Sequence, residues 1–226
     1  MALFPPGSRL ISRGDLPARQ ATQLEAIAFS ENVIELVYGR LEAFLWKGDP
    51  NAPDFAEQSL SDAWSIIDWV HRLDGIVRHC PGLSVTSAAV VDLLNSTSLV
   101  ENHRNAIQHP AATLHAVTPS GRSPWGYLCW SRRGEADQPS PFSRVTAVGR
   151  LGRDATTYVI RMTGLPRWPI DHVSLYSSDS QAEIGITGQV EALARFGRGL
   201  EAAVGSSTET NARGVLQIGD WSPADY

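Results

Sequence analysis

The sequence predicts an α+β fold in which an antiparallel helical bundle is followed by a small antiparallel β-sheet with a closing helix. Apolar residues recur at helical spacing through most of the first half of the chain. Past residue 120 they occur instead in short segments rich in β-branched and aromatic residues, separated by Gly, Pro, Ser and Asp. A run of helices followed by a run of strands favours segregated α+β architecture over alternating βαβ units.

Four helices are predicted in the first half from the spacing of apolar side chains. The first is long and amphipathic, and the Gly and Pro residues of KGDPNAPD end it. The second ends at Cys80-Pro81-Gly82. Two shorter helices follow the two long ones. The predicted ranges are 21–46, about 57–79, about 85–95 and about 97–109.

Polar residues at the start of two of these helices are candidate N-caps. Ser59 or Ser61 precedes the apolar stripe of the second helix, and Ser96 or Thr97 precedes the fourth. Glu101 lies in the first turn of the fourth helix, where a carboxylate interacts favourably with the helix dipole. We therefore expect the hydroxyl groups of these residues to begin the second and fourth helices.

The second half is predicted to form an antiparallel meander closed by a helix. Short β-branched segments, joined by connections such as LGRDA and SDSQ, indicate strands paired as hairpins. QVEALARFGRGLEAAV, residues 189–204, predicts the closing helix, and VLQIG near the C-terminus could add an edge strand. The predicted strands are 125–131, 143–150, 156–164, 171–177 and 182–188.

These elements divide the chain into four predicted parts. The first segment contains Pro and Gly without a clear period and is predicted to be a flexible arm, as is the tail that begins GSSTETNARG. HAVTPSGRSP, residues 115–124, is the candidate boundary between helices and strands. The parts are the arm at 1–20, the helical bundle at 21–116, the β-rich domain at 122–204 and the tail at 205–226.

Charge and cysteine content argue against several kinds of site. A net charge of -5 is not typical of proteins that bind duplex nucleic acid through a broad basic surface, although it leaves room for a small local anion site. Cys80 and Cys129 lie far apart and outside any zinc-ligand spacing, so we expect two reduced thiols, no metal site and no cofactor. No P-loop, GxGxxG, HExxH or GxSxG pattern occurs.

The sequence also carries information about location. No stretch approaches the roughly 20 apolar residues that a membrane-spanning helix requires. The N-terminal residues lack the apolar run and the small-residue cleavage site of a signal peptide. We therefore predict a cytoplasmic protein with no membrane partner.

One polar cluster, in ENHRNAIQHP at residues 101–110, combines residue types that handle phosphate. Arg104, Asn105 and His109 fall within six positions near the end of the fourth predicted helix. On a helix, Asn105 and His109 are i,i+4 neighbours, as are Arg104 and Gln108, so the four form one polar surface. Arginine makes bidentate phosphate contacts, and histidine exchanges protons near neutral pH.

The spacing of Arg104 and His109 is not informative without this context. RWPIDH, from Arg167 to His172, has the same spacing but contains a proline and leads into a predicted strand. In the fourth helix, by contrast, Val100, His103 and Ile107 recur at i, i+3 and i+7, and we expect them to face the core. The interpretation of Arg104 and His109 as a phosphate-handling pair therefore depends on their position in a helix that follows two long helices.

Residues 21–116, with RNAIQH after two long helices, resemble the HEPN superfamily of helical-bundle, RNA-associated domains. The resemblance implies a homodimer with a metal-independent ribonuclease site in which two motifs face one cleft. It implies that Arg104 holds the scissile phosphate and that His109 transfers protons, while Asn105 orients His109 or contacts the phosphate. Gln108 and Arg72 are candidate substrate-binding residues. No family resemblance is identified for the second half.

The same motif is also compatible with a non-catalytic module for dimerisation, ligand sensing or protein interaction. In that interpretation Arg104, Asn105 and His109 bond helix-end carbonyls, a neighbouring helix or an acidic partner. Pro110 disfavours helical geometry at His109. The sequence therefore leaves open whether the protein is an enzyme, and it leaves RNA, a second copy of the chain and a neutralising or signalling protein as candidate partners.

Three further features have both a functional and a structural interpretation. Trp125, Tyr127 and Trp130 could form a base-stacking platform, although aromatic strands more often pack against a helix or sheet. Asp68 and Arg72 are predicted to form an i,i+4 ion pair on the second helix, whereas in the functional interpretation Asp68 or His71 reaches the Arg104 site. Basic residues of one predicted hairpin form either an RNA-contacting patch or a set of solvated loop charges: Arg144, Arg150, Arg153 and Arg161.

Overall fold

The fold is mixed helix and sheet, as predicted. The computed structural model describes residues 4–12, 14–49, 52, 54–108, 125–132, 144–147, 170–176 and 182–222. Within these ranges, helices occupy most of the first half, a small antiparallel sheet follows, and a long helix comes after the last strand. This arrangement confirms the α+β class and the closing helix.

The helices follow the predicted periodicity closely. Both long helices and both short ones lie within a few residues of their expected ranges, because burial of an apolar stripe determines where each helix must run. In the described part of the chain the helices are α1 (Arg9–Ser12), α2 (Ala18–Lys47), α3 (Phe55–Arg78), α4 (Ala88–Ser96), α5 (Val100–Gln108) and α6 (Ile186–Ser206).

The expected capping residues were wrong. Helix α3 begins at Phe55, upstream of both candidates, and the Ser59 hydroxyl donates to the Phe55 carbonyl at 2.7 Å inside the helix. Thr97 is the C-cap of α4, and its hydroxyl donates to Oδ1 of Asp74 at 3.0 Å. Ser96 is the last residue of α4. Serine and threonine bond backbone carbonyls within helices as well as amides at helix starts, so their presence alone does not locate a boundary.

Four antiparallel strands form the described sheet, in the order β2-β1-β3-β4. Strand β1 pairs with β2 on one side and with β3 on the other, which differs from the order of a simple meander. The alternation of a sequence predicts the faces of a strand but not its neighbours. The predicted strand 156–164 lies outside the described residues. The strands are β1 (Tyr127–Arg132), β2 (Arg144–Ala147), β3 (Ile170–Tyr176) and β4 (Glu183–Gly185).

The chain forms two compact units, each assembled from separate stretches of the sequence. Unit 1 comprises Met1–Leu36, Asp68–Ser98 and Gln189–Tyr226, and unit 2 comprises Val37–Ile67 and Leu99–Gly188. Helices α2 and α3 each contribute residues to both units. The division differs from a helical half and a sheet half because long helices can supply apolar side chains to more than one core.

The segments predicted as arm and tail both contribute to unit 1. Phe4 is buried, and its backbone exchanges two hydrogen bonds with the Asn32 side chain at 2.8 and 2.9 Å. The Gln20 amide donates to the Leu216 carbonyl and its oxygen accepts from the Leu216 amide, at 2.8 and 3.0 Å. Trp221 is also buried and packs against an aromatic ring of α6. VLQIG forms an isolated bridge through Leu216.

The core of unit 2 lies on one face of the sheet. Phe55 of α3 packs against Phe44 of α2 and against Trp130 of β1, with ring centroids 5.0 and 6.1 Å apart. Alternate residues of β1, β3 and β4 point to this face because the side chains of a strand alternate with period two. The buried strand residues are Leu128, Trp130, Val173, Leu175 and Ile184.

Glu31 is a carboxylic acid enclosed within unit 1. Its side chain is 1% exposed, and neither carboxyl oxygen has a hydrogen-bond partner among the described residues. Burial raises the pKa of Glu31 well above its usual range; Glu35 raises it further, and Arg198 lowers it. A Cβ on Gly197 of α6 would collide with Oε2 of Glu31 and lie 2.7 Å from Cζ of Phe4. Burial therefore favours the neutral form of the Glu31 carboxyl group, which is packed where α6 carries no side chain.

Replacing Glu31 with Gln should remove a pH-dependent loss of stability. Because the pKa of Glu31 is raised in the folded state, the folded protein keeps a proton that the unfolded protein releases above about pH 4. The free energy of unfolding therefore falls as the pH rises from the unfolded pKa towards the folded pKa. In urea denaturation, we compare the free energy of unfolding of Glu31→Gln with that of the native protein. We expect the variant's value to rise relative to the native value between pH 4 and pH 8, by on the order of 1 kcal/mol or more. Exposed Glu25→Gln is the matched control, and a difference that does not change with pH would contradict a raised pKa of Glu31.

Gly197→Ala should destabilise the protein although alanine is the better helix former. The added Cβ needs space that Glu31 and Phe4 occupy, and overpacking of this kind costs about 1–3 kcal/mol. Gly75 of α3 is the matched control, because a Cβ there meets no atom within 4 Å and helix propensity alone should stabilise the variant by up to about 1 kcal/mol. Thermal unfolding of both variants measures the contrast, and equal stabilisation would show that Gly197 is not closely packed.

Candidate functional site

Helix α5 carries the polar motif and is attached to the sheet within unit 2 through a buried histidine. His103 is 3% exposed, and Nδ1 and Nε2 of its ring lie 3.1 Å from the carbonyl oxygens of Leu99 and Ala182 respectively. Ala182 directly precedes β4. A neutral imidazole donates to one of two such carbonyls, and an imidazolium donates to both. His103 therefore links α5 to the beginning of β4.

The motif residues lie away from this buried side of α5. Arg104 is half-buried, while Asn105 and Gln108 are exposed. Val100 and His103 are buried, which confirms the side predicted to face the core. The side chain of Ile107 and the whole of His109 lie outside the described part of the structure. The structure thus places Arg104, Asn105 and Gln108 on one helix without fixing the histidine of the motif.

Arg72 lies in unit 1, on α3. Its Nε donates to Oδ2 of Asp68 at 2.8 Å, and its guanidinium carbon lies 5.1 Å from the centre of the Trp69 ring. The predicted i,i+4 pair of Asp68 and Arg72 is therefore confirmed. Arg104 belongs to unit 2, so Arg72 and the α5 motif are in different compact units.

The predicted platform of three aromatic residues does not form. Trp130 is buried in the core of unit 2, on the opposite face of β1 from Tyr127. Trp125 packs edge-on against Trp64 of α3, with centroids 6.3 Å apart. Tyr127 instead stacks on Tyr176 of β3, with centroids 4.8 Å apart and planes inclined by 7°. Strand alternation separates residues that are close in sequence onto opposite faces.

A second polar group occupies the face of the sheet opposite the core, hereafter the open face. His172, Ser174 and Tyr176 alternate along β3 and point to this face, and the antiparallel register pairs Tyr176 with Glu183 of β4. Cys129 of β1 lies opposite Ser174. Antiparallel pairing thus collects five polar or aromatic side chains from three strands.

These side chains form a directed chain of hydrogen bonds. Oγ of Ser174 lies 2.6 Å from Oε1 of Glu183 and 2.7 Å from Nε2 of His172. The bond from Ser174 lowers the pKa of Glu183 most; burial raises it, and Tyr176 and His172 lower it. An ionised carboxylate only accepts, so the single proton of Ser174 points to Glu183 and the serine oxygen accepts from Nε2–H of His172.

The potential nucleophiles of the open face are not activated. Burial and then Glu183 raise the pKa of the Cys129 thiol to about 11, so it is protonated at neutral pH. Ser174 is 2% exposed, and both roles of its hydroxyl are already taken. Burial and the bond to Glu183 raise the pKa of Tyr176 to about 12. The arrangement differs from a nucleophilic triad because the acid contacts the serine rather than the histidine.

The open-face group was not predicted from the sequence, although DHVSLYS contains a usable signal. In a strand, His172, Ser174 and Tyr176 occupy every second position and must share a face. The spacing of His172 from Arg167 equals that of His109 from Arg104, but in a strand it does not bring the two side chains together. The pairing with Glu183 depends on strand register, and the sequence does not give that register.

Other kinds of site are limited by what the described residues contain. No group of three or more His, Cys, Asp or Glu residues in this part of the chain could hold a metal ion. Cys80 and Cys129 are free thiols. Among the described helices, none has the length and apolar character needed to cross a membrane. No protein-family model, curated protein or solved structure matches this chain.

Replacing His103 with Phe should loosen α5 from the sheet. Phenylalanine fills similar space but has no ring nitrogen to donate to the Leu99 or Ala182 carbonyl, and loss of one such hydrogen bond costs about 1–2 kcal/mol. Urea denaturation measures the global effect, and hydrogen exchange of the α5 amides measures the local one. His79→Phe is the control, because His79 is exposed and its ring bonds only within α3. Unchanged exchange in α5 would show that His103 does not attach this helix.

Proposed function

We propose that the protein is a cytoplasmic, HEPN-like, RNA-associated protein that cleaves RNA without a metal ion, as a homodimer of the toxin, defence or stress type. The observation that supports this most is the position of α5. It follows two long helices, its buried side is anchored by His103, and it carries Arg104, Asn105 and Gln108 away from that side. The β-rich part selects or positions the substrate in this proposal.

The proposed reaction is attack of a ribose 2′-oxygen on the adjacent phosphorus. A His109 imidazole accepts the 2′-hydroxyl proton, and the partner subunit's His109 protonates the departing 5′-oxygen, leaving a 2′,3′-cyclic phosphate. Arg104 makes charge-assisted hydrogen bonds to the phosphate and stabilises the developing negative charge. Asn105 orients His109 or donates to the phosphate, and Gln108 and Arg72 bind other parts of the RNA. The protons balance without a metal-bound hydroxide.

A second candidate function is a non-catalytic module that dimerises and recognises a ligand, or a neutralising or signalling protein, through the β-rich part. The hydrogen-bond chain on the open face favours this alternative, because it fixes several polar groups without activating a nucleophile. Fixed polar groups on a rigid sheet are suited to recognition. In this case Arg104 and Asn105 would contribute to binding rather than to cleavage.

The catalytic proposal predicts chelator-resistant cleavage that depends on His109. Native protein should cleave members of a broad single-stranded RNA panel in the presence of EDTA and leave 2′,3′-cyclic phosphate ends. His109→Ala should lose at least about 100-fold in rate, as expected when a proton-transfer group is removed, and Arg104→Ala should lose a similar factor. Cleavage is measured by gel analysis of labelled RNA, with end groups identified by mass spectrometry.

Two matched variants separate the motif from general effects. His79→Ala and Arg213→Ala remove an exposed histidine and an exposed arginine elsewhere, and both should cleave at the native rate. Sedimentation equilibrium should give the mass of a dimer. Cleavage that His109→Ala leaves unchanged, or no cleavage of any RNA by native protein, would reject the ribonuclease function, and a monomer mass would reject the dimeric mechanism.

A further inference from the structure

The first described residues of unit 1 place a buried aromatic side chain beside α2 and α6. Phe4 is 2% exposed. Its amide donates to Oδ1 of Asn32 at 2.8 Å, and Nδ2 of Asn32 donates to its carbonyl at 2.9 Å. The next three residues, Pro5, Pro6 and Gly7, are exposed. Residues 4–7, hereafter the N-terminal plug, are thus attached to the rest of unit 1 through the ring and backbone of Phe4.

The chain is attached to α6 again just after the plug, which gives the plug a hinge. The Arg9 amide donates to Oε1 of Glu201 at 3.2 Å, and Nη1 of Arg9 donates to the Gly205 carbonyl at 2.9 Å. Between these contacts and Phe4 lies Gly7, where an added Cβ would meet no atom within 4 Å. Rotation of the backbone at Gly7 can therefore withdraw Phe4 while α1 stays in place.

The plug adjoins the carboxyl group of Glu31. A Cβ on Gly197 of α6 would lie 2.7 Å from Cζ of Phe4 and 2.7 Å from Cδ of Glu31, so the edge of the ring and the carboxyl group meet at this point. Both carboxyl oxygens are buried without a hydrogen-bond partner among the described residues. An unbonded polar group costs free energy that hydrogen bonds to water would recover. Withdrawal of Phe4 would let water reach the carboxyl group and would relieve this cost.

The charge on Glu31 determines when the plug should withdraw. Burial raises the pKa of Glu31 most; Glu35 of α2 raises it further, and Arg198 of α6 lowers it. Once the plug opens, water reaches the group and its pKa returns towards the ordinary value of about 4. The open form then binds fewer protons than the closed form, so the ratio of open to closed protein rises with pH, by up to about tenfold per pH unit. Below about pH 4 both forms are protonated and the ratio is constant.

We propose that the N-terminal plug is a pH-dependent switch in unit 1, which covers Glu31 while its carboxyl group is protonated and withdraws when that group ionises. The open form presents a carboxylate and the amide of Asn32 at the surface in place of an aromatic ring. The switch uses residues of unit 1 and does not depend on the Arg104 and His109 motif or on RNA cleavage.

Hydrogen exchange of two backbone amides, measured by NMR, tests the switch. The Phe4 amide reports on the plug. The Leu216 amide donates to Oε1 of Gln20 at 3.0 Å, so it reports on the rest of unit 1 through the same kind of bond. Dividing the exchange rate of an unstructured peptide by the measured rate at the same pH gives a protection factor. In the native protein, protection of Phe4 should fall at least about 10-fold from pH 5 to pH 8, while protection of Leu216 stays constant.

Variants show whether Glu31 is the group that titrates. Glu31→Gln keeps the size of the side chain but cannot ionise, so protection of Phe4 should no longer change with pH. Glu25→Gln removes an exposed acid of the same helix and should respond as the native protein does. Glu31→Leu takes the place of the Gln variant if that variant does not fold. Constant protection of Phe4 in the native protein, a parallel loss at Leu216, or a pH response that persists without Glu31 would each overturn the proposal.

Discussion

The sheet of unit 2 has one buried face, and this constraint determines where its polar side chains lie. Burying Val173 and Leu175 directs His172, Ser174 and Tyr176 to the other face, because successive residues of a strand point in opposite directions. A shift of one residue in strand register would turn those polar groups into the core. The same packing energy that stabilises the sheet therefore also selects the register in which the hydrogen-bond chain can form.

Strand β4 has three residues, yet polar contacts hold both of its ends. Before the strand, the Ala182 carbonyl is bonded to His103 of α5; after it, the Thr187 hydroxyl accepts from the Val173 amide at 2.9 Å. These contacts compensate for the few backbone hydrogen bonds that a strand of this length can make. They also place Glu183 between two fixed points, so a side chain near the edge of the sheet keeps a defined position.

Much of the fold could be predicted because it depends on local periodicity. The apolar stripes of the long helices locate them well, but Ser59 shows why their ends are harder to place: the same hydroxyl that caps a helix also bonds a carbonyl within one. The polar side chains of the sheet show what local periodicity does not predict. Arg104 was found because its neighbours are close in sequence, whereas Ser174 and Glu183 meet only through strand pairing, which depends on the whole sheet.

The make-up of unit 1 has a consequence for the order of events during synthesis. Its core combines the beginning of the chain with residues from Gln189 onward, and Gln20 in α2 bonds the backbone of Leu216, 196 positions later in the sequence. As the ribosome extends the chain, the first helices emerge long before the partners that cover them. Unit 1 can therefore close only after the residues beyond Gln189 have been synthesised, and contacts of such separation slow folding. Until then the apolar sides of the early helices depend on transient contacts or on chaperones.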